Sequence, residues 1–64
     1  QHLERLRDTL IDEGDAALGE VLAEFPGADR QQLRQLVRQA RREREHGNAP
    51  KSSRALFRYL RDLG

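Results

Sequence analysis

The stretch from Asp29 to Glu45, DRQQLRQLVRQARRERE, constrains the fold more than any other feature of this chain. At about 100° per residue, Leu33, Leu36, Val37 and Ala40 share an arc roughly 100° wide, the width of a stripe that docks on a core. The rest of the circumference is polar, so this helix gains its stability by packing one side against other amphipathic helices. Beside the stripe, Arg30, Arg34, Arg38 and Arg41 recur at spacings of four, four and three. Such spacing predicts one exposed basic face, with Arg42 and Arg44 on its two flanks. Asp29 is placed to cap the start by accepting an unpartnered backbone N–H, and Gln32 three residues on completes a capping-box pattern.

The segments on either side are shorter versions of the same design. Leu3, Leu6, Leu10 and Ile11 form a helical stripe over residues 1–13, expected to be the last turns of a longer upstream helix. The chain has no initiator Met and starts inside this pattern, so it reads as a single small domain, residues 1–64, excerpted from a longer protein. Gly14 suits the left-handed position after a helix, and Asp15 is the expected N-cap of the next. That second helix, Ala16 to Phe25, places Ala17, Leu18, Val21, Leu22 and Phe25 on or near one side, and Pro26 and Gly27 end it. After the Arg-rich helix, Gly47 and Asn48 turn the chain and Pro50 blocks continuation. The last helix is expected to begin near Ser52, capped by Ser52 or Ser53. Leu56, Leu60 and Leu63 form its stripe, with Phe57 and Tyr59 on opposite shoulders. Lys51, Arg54, Arg58 and Arg61 face the other way. No segment alternates with β period. The expected fold class is all-α, a small helical bundle made of the end of a long N-terminal helix plus three shorter helices.

A chain of 64 residues without cysteine has a thin core and no disulfide to supplement it, which leaves helix packing to stabilise it. The lack of cysteine also fits a reducing cytoplasm, the expected location. No apolar run approaches a membrane span or a signal-peptide core. Catalysis has little to work with: His2 and His46 are far apart near helix ends, Asp12 and Glu13 read as exposed charges, and the glycines are scattered as punctuation instead of forming a phosphate loop. The chain is therefore not expected to be an enzyme, nor to carry a cofactor, a metal or a small-molecule substrate.

A formal charge of +1 conceals a strong asymmetry. Residues 1–29 hold two arginines against eight acids, net −6, whereas residues 30–64 hold ten Lys or Arg against three acids, net +7. Either the basic half faces a polyanion or the two halves attract each other across the fold. Every cation of the basic half except Lys51 is arginine, whose planar fork holds phosphate bidentately and stacks on bases. Basic character spread over two helices suits backbone and shape recognition of structured RNA. Two rivals remain open: a helical interaction module whose basic half docks an acidic protein, and a helix-turn-helix-like DNA-binding domain in which Gln31, Gln35 and Gln39 contact adenine edges. Against the latter, the FPGAD turn is longer than the usual three or four residues. Phe57 and Tyr59 offer stacking platforms in principle, but aromatic residues at helical spacing are more often core.

The segments LRDTLIDEGDAALGEVLAEFPGADRQQLRQLVRQARRERE and PKSSRALFRYLRDL resemble the C-terminal part of the ribosome-associated YjgA family, the dual-action ribosomal maturation proteins (DarP). The resemblance runs from about Leu3 to Leu63, and LIDEGD, ADRQQLR and the PKS…LFRYLR ending are its most specific pieces. It implies an all-helical bacterial factor of the cytoplasm whose long helix joins two small bundles, this chain being the C-terminal one. It implies a non-enzymatic role late in assembly of the large ribosomal subunit, supporting maturation of the peptidyl-transferase region. The implied partner is that subunit, through its rRNA with or without ribosomal proteins, and no membrane. On charge geometry, Arg30, Arg34, Arg38, Arg41 and Arg42, with Lys51, Arg54 and Arg58, are the expected rRNA contacts.

Overall fold

The computed structural model describes residues 2–63 as four helices: α1 (His2–Glu13), α2 (Asp15–Glu24), α3 (Arg30–Glu45) and α4 (Lys51–Leu63). The described residues contain no strand, and the fold is the all-α bundle that the spacing predicts. Each helix contributes its stripe to one core: Leu10 and Ile11, then Ala17, Leu18 and Val21, then Leu33, Val37 and Ala40, then Leu56 and Leu60. Leu36 and Tyr59 lie half-buried at its edge, as do Leu3, Leu6, Leu22 and Phe25. Leu63, expected in the buried stripe of α4, is also only half-buried. It lies beside the turn at Gly27, where an added Cβ would stand 3.8 Å from Leu63 Cδ2.

The helix ends depart from the expected capping in three places. Gly14 alone separates α1 from α2. Its N–H donates to the Leu10 carbonyl at 2.7 Å, and its own carbonyl accepts from Ala17 at 3.1 Å. At φ 64° and ψ −131°, Gly14 lies outside the left-handed helical region in which Asn and Asp are tolerated. With the cap position taken by this pivot, Asp15 is not the N-cap but the first residue of α2, where its charge still favours the positive end of the helix.

At α3, Asp29 does cap, its Oδ1 accepting from the Gln31 N–H at 3.0 Å. The reciprocal bond from Gln32 is absent, because the Asp29 N–H donates instead to the Tyr59 hydroxyl at 2.8 Å. A long-range tie from α4 thus replaces half of a local motif. Phe57, on the other shoulder, has the Arg7 guanidinium 5.8 Å from its ring centre. Both aromatic side chains are engaged within the fold.

Helix α4 starts one residue early, at Lys51, and is capped by neither serine. The Ser52 N–H donates to Glu43 Oε1 at 2.9 Å and the buried Ser52 hydroxyl donates to Glu43 Oε2 at 2.6 Å. A carboxylate from α3 therefore satisfies one orphan backbone donor of α4 and sits at the positive end of its dipole. The next residue does the converse for α1. Arg44 pairs with Asp12 and reaches the Ile11 carbonyl at 3.5 Å, in a last turn that has no basic residue of its own. Successive residues point about 100° apart on a helix, which lets Glu43 and Arg44 serve the ends of two different helices.

The Ser52 hydroxyl and N–H hold the Glu43 carboxyl below its ordinary pKa, helped by the Lys51 charge. A carboxyl lowered in the folded state adds stability above its unfolded pKa of about 4.3 and loses that contribution as pH falls through the lowered value. Glu43→Gln should therefore lower the melting temperature near neutrality and flatten part of its decline in acid. Circular-dichroism melts across that range check this, and an unchanged acid profile would show that Glu43 does not act as the cap.

Candidate nucleic-acid interface

The arginines of α3 do not all share one exposed face. Arg30, Arg34, Arg38 and Arg42 are exposed, but Arg41 is half-buried. Its guanidinium lies over Gly14 so closely that a Cβ there would stand 2.2 Å from Nη1. Arg34 also turns to this corner, with Nη2 3.6 Å from Asp15 Oδ2. Arg38 and Arg42, one turn apart, point outward and form no ion pair or side-chain hydrogen bond among the described residues. With Gln35, Gln39, Arg41 and Glu45 they line an open hollow of about 600 Å³. The row predicted by the spacing is thus divided: Arg34 and Arg41 turn to the α1–α2 corner while Arg30 and Arg38 stay exposed, with Arg42, the predicted flank, exposed beside them.

On α4, Lys51, Arg54 and Arg58 are all exposed. Arg54 and Arg58 have no ionic partner among the described residues, and Lys51 acts on Glu43. Arg61 stands 3.6 Å from its own neighbour Asp62. Helices α3 and α4 pack directly against one another, which puts the two basic rows on adjoining rods.

Only two ion pairs join the acidic and basic halves among the described residues, Arg34 to Asp15 and Arg44 to Asp12. Exposed pairs of this kind contribute at most about 1 kcal/mol. Mutual neutralisation of the halves therefore leaves most of the arginines unengaged. Within the acidic half, His2 Nε2 lies 2.8 Å from Glu24 Oε2 and Arg7 Nη2 3.0 Å from Asp8 Oδ1. The described residues contain no group of three or more His, Cys, Asp or Glu able to hold a metal ion, and no helix long and apolar enough to cross a membrane.

Sequence reasoning missed the two residues that join the helices. Glu43 counted only as one of the three acids of residues 30–64, and Arg44 as a flank of the basic face. The available signal was the alternation Glu43-Arg44 at the end of an amphipathic helix, where neighbours of opposite sign point to different elements.

A profile for the family "Dual-action ribosomal maturation protein DarP" matches residues 1–61. Curated relatives that bear this name occur in Escherichia coli (strain K12 / DH10B), Shigella boydii serotype 18 and Escherichia fergusonii. Each is 59% identical over 61 residues, covering 95% of this chain and 33% of the relative. The chain thus spans about a third of the length of the curated relatives it matches. No solved structure matches it. By a match over nearly its whole length and by this identity, the chain belongs to the DarP family of dual-action ribosomal maturation proteins.

Proposed function

We propose that this chain is the C-terminal, rRNA-binding bundle of a cytoplasmic assembly factor. It docks on the large ribosomal subunit and supports late maturation of the peptidyl-transferase region by binding, without catalysis. The observation that carries this reading is the set of exposed guanidinium groups without ionic partners among the described residues, Arg30, Arg38 and Arg42 on α3 and Arg54 and Arg58 on α4. Lys51 extends the α4 row, and Arg34 and Arg41 join the contact where RNA reaches the α1–α2 corner.

Six to eight phosphate contacts give a log–log slope of affinity against salt of about −4 to −7. Fluorescence anisotropy with a structured large-subunit rRNA fragment, titrated at several salt concentrations, measures it directly. A slope shallower than about −2 would contradict the reading. Retention on subunit-derived complexes after complete RNA digestion would instead identify an acidic protein partner.

A further inference from the structure

We infer that the hollow on the outer side of α3 is a subsite for an unpaired guanine of the bound RNA, an inference that rests on the RNA-binding reading above. The residue that points to this is Glu45. It lines the hollow with Gln35, Arg38, Gln39, Arg41 and Arg42. Arg41 and Arg42 precede it by four and three residues, the spacings at which helix ion pairs close. Glu45 nevertheless forms no ion pair or side-chain hydrogen bond with any described residue.

A surface that bound only phosphates would gain nothing from a carboxylate among its arginines, since the carboxylate repels the ligand. A nucleobase uses both signs. An ionised carboxylate offers two acceptor oxygens and no donor. Guanine alone among the four RNA bases presents two adjacent donors, N1–H and the N2 amino group, on its Watson–Crick edge. Glu45 can take both in a bidentate, charge-assisted pair.

The neighbouring side chains fit the remaining parts of the nucleotide. The planar guanidinium groups of Arg38 and Arg42 can stack on the purine face or hold its phosphate. The Gln35 amide both donates and accepts, as a ribose 2′-hydroxyl does. The Gln39 Oε1 lies 3.4 Å from the Ser52 hydroxyl, whose one proton goes to Glu43 Oε2, so the Gln39 amide can turn toward the ligand. All six side chains that line the hollow stand on α3 and it is open to solvent, so the base would lie along the helix surface between them and not in an enclosed cavity. Because the edge in question is the one used in base pairing, the guanine must come from a loop, bulge or single strand.

The test uses short U-rich single-stranded RNAs that carry one central guanine, inosine or adenine, titrated against the chain by fluorescence anisotropy. Guanine should bind on the order of tenfold more tightly than adenine, with inosine, which lacks the N2 amino group, in between. Glu45→Gln should abolish that ranking while leaving the adenine RNA bound at least as tightly as before. Glu45 is exposed and unpartnered, so helicity should be retained, and circular dichroism verifies it. Equal affinity for guanine and adenine, or a preference that survives Glu45→Gln, would overturn the guanine subsite and leave RNA binding standing. Failure of the wild-type chain to bind any of these RNAs or a structured rRNA fragment would remove the RNA-binding reading itself.

Discussion

Leu33→Ala is expected to lower the stability of the bundle by about 2–5 kcal/mol, the cost of emptying a fully enclosed leucine site. Leu33 is 0% exposed and belongs to the one cluster to which all four helices contribute. A domain of this length has a total stability of about 3–10 kcal/mol. One methyl-rich side chain therefore represents a large part of the whole, and no disulfide makes up the difference. The melting temperature should fall by about 10–30 °C, read by thermal circular dichroism. Leu36→Ala, at a half-buried position of the same stripe, should cost distinctly less. A Leu33→Ala chain that melts within a few degrees of the parent would show that α3 does not organise the core.

The order and type of the helices were legible because periodic stripes and Gly or Pro punctuation are local signals. Leu33, Val37 and Ala40 are buried, as their 3.6-residue spacing predicts, and Asp29 caps α3 through its own side chain. Joints that depend on partners distant in sequence were not legible. Ser52 looked like a cap, but Glu43 nine residues earlier takes that role across a turn. Gln32 looked like the second half of a capping box, but Tyr59 thirty residues after Asp29 accepts that N–H.

The basic face follows the same logic. Helical spacing put Arg34, Arg38 and Arg41 in one row, because spacing knows only the helix they stand on. Packing then decided which of them remained outward, through the close approach of α1 and α2 at Gly14 and Asp15. On α4, where nothing covers the outer side, Arg54 and Arg58 stay exposed as the spacing predicts.

Reversing Arg38, Arg42, Arg54 and Arg58 to glutamate together should lower affinity for large-subunit rRNA on the order of a hundredfold or more near physiological salt. Each reversal removes a favourable phosphate contact and adds a repulsive charge. The four positions are exposed and without ionic partners among the described residues, and glutamate forms helix about as well as arginine, so the bundle should stay folded. Neutralising the same four to glutamine instead should shorten the salt slope by about 3–4, roughly one for each lost contact. The most direct measurement is co-sedimentation of the reversed chain with purified large ribosomal subunits, its helicity verified beforehand. The expected result is that the wild-type chain pellets with the subunits and the folded variant stays in the supernatant. A folded variant that pellets as fully as the wild type would contradict binding through the outward arginines of α3 and α4.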